Sequence, residues 1–284
     1  VLLPLGYLVV RSFGADAGQV GRALFRRQSL TQLSNTLLLC VAVVGVTTLT
    51  ALPVAWLTSR TDLPMRRLWA LALVMPLAIP GYLMAYALLS LGGAYGTAFH
   101  LTGFSVPRLH GFAGSLIALS VYNFPYMAGG LLVSLHVISD FGVVSLMRYE
   151  TFSYALYQAY QGAHGTRGAA PIALLMIALA GIIIVAELML LRRVVLTRAG
   201  AGQARVRRSL RLKVWKLPAL LFVCGLLLIG LVLPVFTILY GAWGVPSGRQ
   251  WRSVSTSVID SLSVSAPAAV AATLLALPIA YMAR

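Results

Sequence analysis

Apolar residues fill this chain in blocks of about 20–30 positions, with almost no acidic residue inside them and no polar face recurring at the helical period. The blocks at 36–57, 68–91, 170–191 and 217–240 are each long enough to cross a hydrocarbon layer of ~30 Å as a helix, which takes about 20 residues. A helix on the surface of a soluble protein would carry a polar stripe opposite its apolar one, and these blocks carry none. The pattern predicts an all-α, polytopic transmembrane helical bundle. Its spans are expected near 1–13, 35–58, 68–92, 112–127, 128–147, 170–191, 217–242 and 258–283.

Composition sharpens this picture. Sixty per cent hydrophobic residues, 10% charged residues and a mean hydropathy of +0.89 leave no room for a sizeable soluble domain. A net charge of +16 would suit a nucleic-acid partner, but nine of the 22 Lys and Arg lie in the single stretch 192–216. Arg60, Arg66 and Arg67 add to the short connection between two spans. Basic residues concentrated in short loops mark the cytoplasmic side, so 59–67 and 192–216 are expected inside. Loops 14–34, 93–111, 148–169 and 243–257 then fall outside. Arg22, Arg26 and Arg27 run against that alternation, and an interfacial helix over 20–33 would accommodate them. Cys40 and Cys224 fall within apolar spans without metal-ligand spacing and read as packing residues.

Two features break the regular pattern. The block Asn123-Phe-Pro-Tyr-Met127 runs directly into Ala128-Gly-Gly130 and a further apolar run, and an uninterrupted helix over both would be about 54 Å long. Either a very tight turn reverses the chain there, or a loop is missing between Met127 and Ala128. The second feature is a repeat: Thr48-Leu-Thr-Ala-Leu-Pro-Val-Ala-Trp56 recurs as Thr273-Leu-Leu-Ala-Leu-Pro-Ile-Ala-Tyr281. Same-orientation repeats of multi-span units are characteristic of transporters. The expected organisation is a first repeat over 1–191 with about six spans, a basic cytoplasmic linker over 192–216, and the start of a second repeat over 217–284 with two spans, its remainder truncated.

Several tracts resemble the permease subunit of ferric-iron ABC importers. They are Pro76-Leu-Ala-Ile-Pro-Gly-Tyr82, Asn123-Phe-Pro-Tyr126, Leu52-Pro-Val-Ala-Trp-Leu-Thr-Ser-Arg-Thr-Asp-Leu-Pro64 and, most specifically, Ser139-Asp-Phe-Gly-Val-Val-Ser-Leu-Met-Arg-Tyr-Glu-Thr-Phe152. The resemblance implies a type I ABC importer permease fold with two fused halves in a bacterial inner membrane. It implies a periplasmic substrate-binding protein and two copies of a cytoplasmic ATP-binding cassette subunit as partners. ATP and Mg would be bound on that subunit, leaving this chain without a cofactor or enzymatic activity of its own. The Glu-Ala-Ala…Gly coupling signature of such importers is absent, and it would belong at the 127/128 join. Related permeases carry thiamine, phosphonate or sulfate, and composition does not separate these cargoes from iron.

The residues themselves suggest a polar station. Asp140 lies in an apolar run, where a carboxylate costs at least ~2.5 kcal/mol near the bilayer centre unless it faces a cavity or partner. His136 precedes it by one helical turn and Ser139 adjoins it. This group either lines a translocation path, with Asp140 and His136 as transient ligands of a hard cation, or forms a hydrogen-bonded packing contact between helices. Pro76, Pro80, Gly81 and Tyr82 interrupt a span. Proline removes a backbone donor and bends a helix, and broken helices in transporters line the path, although a purely structural kink fits equally well. The chain holds no Gly-x-x-x-x-Gly-Lys-Ser/Thr phosphate loop, His-Glu-x-x-His or Gly-x-Ser-x-Gly motif. That argues against ATP hydrolysis by this chain and against an intramembrane hydrolase.

Overall fold

The computed structural model describes residues 6–7, 10, 27–93, 96–129, 132–162, 165–196, 210–243 and 248–282. The chain forms two compact units, 1–238 and 239–284. The first begins with a 34-residue helix, α1 (Arg27–Arg60), that passes through Pro53. Thr47, Thr48 and Thr50 would be weak helix formers in water. Here their hydroxyls donate to the carbonyls of Val43, Val44 and Val46 four residues back, so these three hydroxyls are paired within the helix. The buried positions of α1 (Gln32, Thr36, Leu39, Cys40, Val43, Thr47) fall on one stripe at helical spacing.

After α1 come α2 (Arg66–Ala72), a 3₁₀ turn at Met75–Ala78 and α3 (Gly81–Leu91). The stretch predicted as one span over 68–92 is therefore a broken one, with its two arms meeting at 91°. Two prolines cause the break. Pro76 lacks the N–H that would continue α2, and Pro80, with φ −58° and ψ 141°, sits at the cap position from which α3 starts. Next are α4 (Thr97–Thr102), α5 (Gly111–Asn123), a 3₁₀ segment at Phe124–Gly129, α6 (Leu132–Ser139), α7 (Gly142–Leu146), α8 (Phe152–Gln161) and α9 (Gly165–Leu196).

The run 112–147 is thus not two regular spans but three short helices. Tyr122 and His136 stand 14 positions apart with ring centroids 5.2 Å from each other. One straight helix would separate them by about 21 Å, so the chain reverses over the 3₁₀ segment. α1 packs against α5, α6 and this reversal. Leu39, Val43, Met84, Leu119, Val137, Val143 and Phe152 form the common core.

Three helices among the described residues are long and apolar enough to cross a membrane: Arg27–Arg60, Ala169–Ala186 and Lys213–Gly241. The broken pair Arg66–Ala78 and Gly81–Leu91 makes up to four. The third of these comprises a 3₁₀ turn (Lys213–Trp215), α10 (Lys216–Leu227), a π-helical segment (Leu228–Val232) and α11 (Leu233–Trp243). The interfacial helix expected over 20–33 is corrected over its described part, since residues 27–33 are the first turns of α1. The first predicted span lies mostly outside the described residues. In the second unit, α12 (Gly248–Met282) is a single 35-residue helix. Both copies of the nine-residue repeat therefore lie toward the C-terminal ends of long helices, α1 and α12.

The two most basic connections meet each other. The amide of Asp62 donates to the carbonyl of Leu210 (3.1 Å), and that of Leu210 donates to the carbonyl of Arg60 (2.9 Å). Asp62 Oδ1 accepts from the Leu212 amide (2.8 Å), and its Oδ2 pairs with Lys216 Nζ (2.8 Å). This clasp puts 60–62 and 210–216 at one face of the first unit.

The Leu212 amide, and then Lys216, hold the Asp62 carboxyl below its ordinary range. A carboxyl depressed in the fold stabilises it above the unfolded value of about 4 and loses that effect as pH falls through the folded value. Asp62→Asn retains the Oδ1 acceptor and removes the charge. The expected result is a lower melting temperature than wild type at pH 7 in detergent, with the gap closing on acidification below about pH 4. A gap unchanged at pH 3 would show that the charge is not its source.

Candidate translocation site

The irregular backbone of the first unit converges on one region. Asp140 follows the last residue of α6, its amide still bonded to the carbonyl of His136 (2.9 Å). Its carboxylate makes no ion pair with His136 within 4 Å. Oδ1 instead accepts the amide of Val143 (2.8 Å) in the first turn of α7, which is what lets the chain break and restart within three residues. Oδ2 faces the start of α3. A β-carbon on Gly81 would lie 2.9 Å from Oδ2 and 3.2 Å from Val143 Cγ2. The approach is matched from the other side, where a β-carbon on Gly142 would stand 2.9 Å from that of Tyr82. Gly81 thus leaves room for the side chains of Asp140 and Val143, and Gly142 lets α7 come close to Tyr82 at the start of α3.

His136 belongs to the same neighbourhood by a different route. Its imidazole lies between the rings of Tyr122 (5.2 Å) and Tyr126 (5.4 Å), and Tyr122 Cδ1 comes within 3.5 Å of the β-position of Gly81. The Nε2 of His136 is buried with no hydrogen-bond partner, as are Asn123 Oδ1, Ser120 Oγ and Ser115 Oγ on α5. Buried polar atoms are normally paired, so unmet ones in one helix and its neighbour mark this as the polar region of an otherwise apolar core. Asn123 is anchored through its Nδ2, which donates to the Leu119 carbonyl (2.8 Å), leaving the oxygen as the unmet group.

Of the residues singled out from sequence, Gly81, Tyr82 and Asp140 come together directly, and His136 joins them through Tyr122. His136 and Asp140 are not an ion pair: the salt bridge among the described residues is that of Asp62 with Lys216. Ser139 is exposed, donates to the His136 carbonyl (3.0 Å), and forms part of the wall of a cavity of about 530 Å³ with Phe141, Ser153, Tyr157 and Tyr160. Ser153 Oγ donates to the Asp140 carbonyl (3.1 Å) and so ties that wall to the break. Pro80 is exposed. Pro76 is buried elsewhere, with its ring 3.3 Å from the β-position of Gly230 in the π-helical segment. π-segments in helices recur at functional sites, and this one packs on the 3₁₀ turn that breaks the neighbouring span.

Sequence reasoning missed Gly142, Gly230 and Tyr122. Gly142 carried a usable signal, a glycine two residues after an intramembrane aspartate. Nothing in the sequence paired Gly230 with Pro76. Among the described residues no three His, Cys, Asp or Glu gather at metal-binding distance.

Helices of this length and apolar character make the chain an all-α, multi-pass membrane protein. Comparison with known proteins agrees. The chain is similar to the Fe(3+)-transport system permease protein FbpB 2 of Haemophilus influenzae, with 27% identity over 233 residues. That alignment takes in 72% of this chain and 46% of the relative, so the chain spans about half the relative's length. The resemblance to ferric-iron ABC permeases read from the motifs thus has a counterpart across most of the chain, and it supports a place in the inner membrane. No family model matches the chain, and no solved structure matches it.

Proposed function

We propose that this chain is the membrane-spanning permease of an ATP-driven importer. It would pass ferric iron, or a small iron complex, from a periplasmic binding protein toward the cytoplasm. The similarity to the Haemophilus permease carries this reading. The convergence of two broken helices on Asp140, beside the unpartnered His136 Nε2 and Asn123 Oδ1, supports it as a path. In this proposal His136, Ser139 and Asp140 are the polar groups of that path, supported by the kinked segment from Pro76 through Pro80, Gly81 and Tyr82. A carboxylate and an imidazole are too few ligands to trap a hard cation, which suits a step the cargo must leave again. Two copies of a separate ATP-binding cassette subunit would bind ATP and Mg and rock the helices between outward- and inward-facing states.

Cells carrying the complete operon are expected to accumulate radiolabelled ferric iron, and cells lacking this gene to lose at least ~90% of that uptake. Uptake of thiamine, phosphonate or sulfate in place of iron would reassign the cargo while leaving the permease reading intact.

A further inference from the structure

The clasp between 60–62 and 210–216 builds a surface that the transport reading does not use. Thr61, Asp62, Met65, Arg66 and Arg67 line an open cleft of about 560 Å³ at the end of α1. Its one carboxylate, Asp62, is neutralised by Lys216 at 2.8 Å. Arg66 and Arg67 have no carboxylate within 4 Å among the described residues, so the cleft keeps a net positive charge. Large apolar side chains stand uncovered on both segments of the clasp: Met65 in the cleft wall is 66% exposed, and Val214 (87%) and Trp215 (72%) lie in the turn that leads into Lys216, the partner of Asp62. The loop is held in shape from within, with Trp69 Nε1 donating to the Pro64 carbonyl (2.9 Å).

We propose that this cleft binds the headgroup of an anionic phospholipid. Three observations converge on that ligand. The cleft stands at the end of α1, a helix long and apolar enough to cross a membrane, and the basic end of such a helix belongs in or near the headgroup layer. Two adjacent unpaired guanidiniums suit a phosphodiester, which Arg recognises through paired donors. Exposed Met65 in the cleft wall, with exposed Val214 and Trp215 in the turn clasped to Asp62 through Leu212 and Lys216, suits an interface with acyl chains beneath it. A soluble acidic peptide or a free phosphate would use the arginines but leave Met65, Val214 and Trp215 in water. Basic clefts beside spans are known lipid sites in general.

The test exchanges the purified full chain into equimolar phosphatidylglycerol and phosphatidylethanolamine and counts retained lipids by native mass spectrometry. Wild type is expected to retain phosphatidylglycerol about tenfold over phosphatidylethanolamine, falling to near parity in an Arg66→Gln/Arg67→Gln variant of unchanged helix content. If the double variant does not accumulate, a salt titration of wild type decides: the preference should collapse between about 0.1 and 0.5 M salt. Equal retention of both lipids by wild type, an undiminished preference in the variant, or insensitivity to salt would overturn the proposal. Two further results would do the same: complete displacement by millimolar inorganic phosphate, meaning a soluble-anion site, or loss of ATPase-subunit co-purification in the variant with lipid retention intact, meaning a protein-docking face.

Discussion

Asp140→Asn is expected to lower ferric-iron uptake at least ~10-fold while leaving the amount of protein in the membrane unchanged. The amide substitution keeps an oxygen at Oδ1 for the Val143 amide, so the restart of the chain at α7 survives and the negative charge alone is removed. A tenfold loss corresponds to about 1.4 kcal/mol, a modest demand on one charge in a poorly hydrated site. If Asp140 served only to hold the break together, the order would differ. Asn would be tolerated and Ala would be the damaging change, through loss of an acceptor contributing about 0.5–2 kcal/mol. An Asp140→Ala, His136→Ala double variant that takes up iron at the wild-type rate, at wild-type abundance, would reduce both residues to packing.

Gly142→Val is expected to cut membrane abundance several-fold and to lower the melting temperature of whatever protein accumulates. Its new β-carbon would stand 2.9 Å from that of Tyr82. Neither atom can rotate away, because both are fixed to backbone, so two helices must separate. Overpacking of this kind costs about 1–3 kcal/mol, and a loss of that size changes steady-state levels. Gly81→Ala makes an instructive contrast, since the atom its β-carbon meets first is Asp140 Oδ2. A carboxylate can shift where a backbone cannot, so that variant should accumulate nearly normally and yet transport poorly. Immunoblotting of membranes beside uptake assays separates the two. Equal abundance and equal uptake for Gly142→Val and wild type would mean that the helices do not meet at this point.

The sequence by itself determined the class of this protein. Burying long apolar segments in hydrocarbon requires every backbone group to bond within its own helix, so the hydropathy pattern alone dictated an all-α, multi-pass chain. The prolines at 76 and 80 announced the broken span, because a missing N–H acts locally whatever surrounds it. The basic clusters at 60–67 and 192–216 were visible as charge, and their mutual contact through Asp62 was not. What the sequence hid is which face of each helix looks inward. In water the polar side of a helix marks its outer face, but lipid is as apolar as the protein core, so the stripe from Gln32 to Thr47 on α1 carries no distinguishing signature. The same ambiguity made 112–147 read as two spans. An apolar run shows its length and not its bends, and the reversal at Phe124–Gly129 and the break at Asp140 are fixed by contacts made with α1 and α3. The site followed suit: Asp140, His136 and Gly81 were individually legible as an ion, an imidazole and a flexible point in an apolar field. Only the tertiary structure brought Asp140 Oδ2 against Gly81. The Oδ1 bond to the Val143 amide is local, but the approach of Oδ2 to Gly81 is made by a neighbour some sixty positions away in the chain.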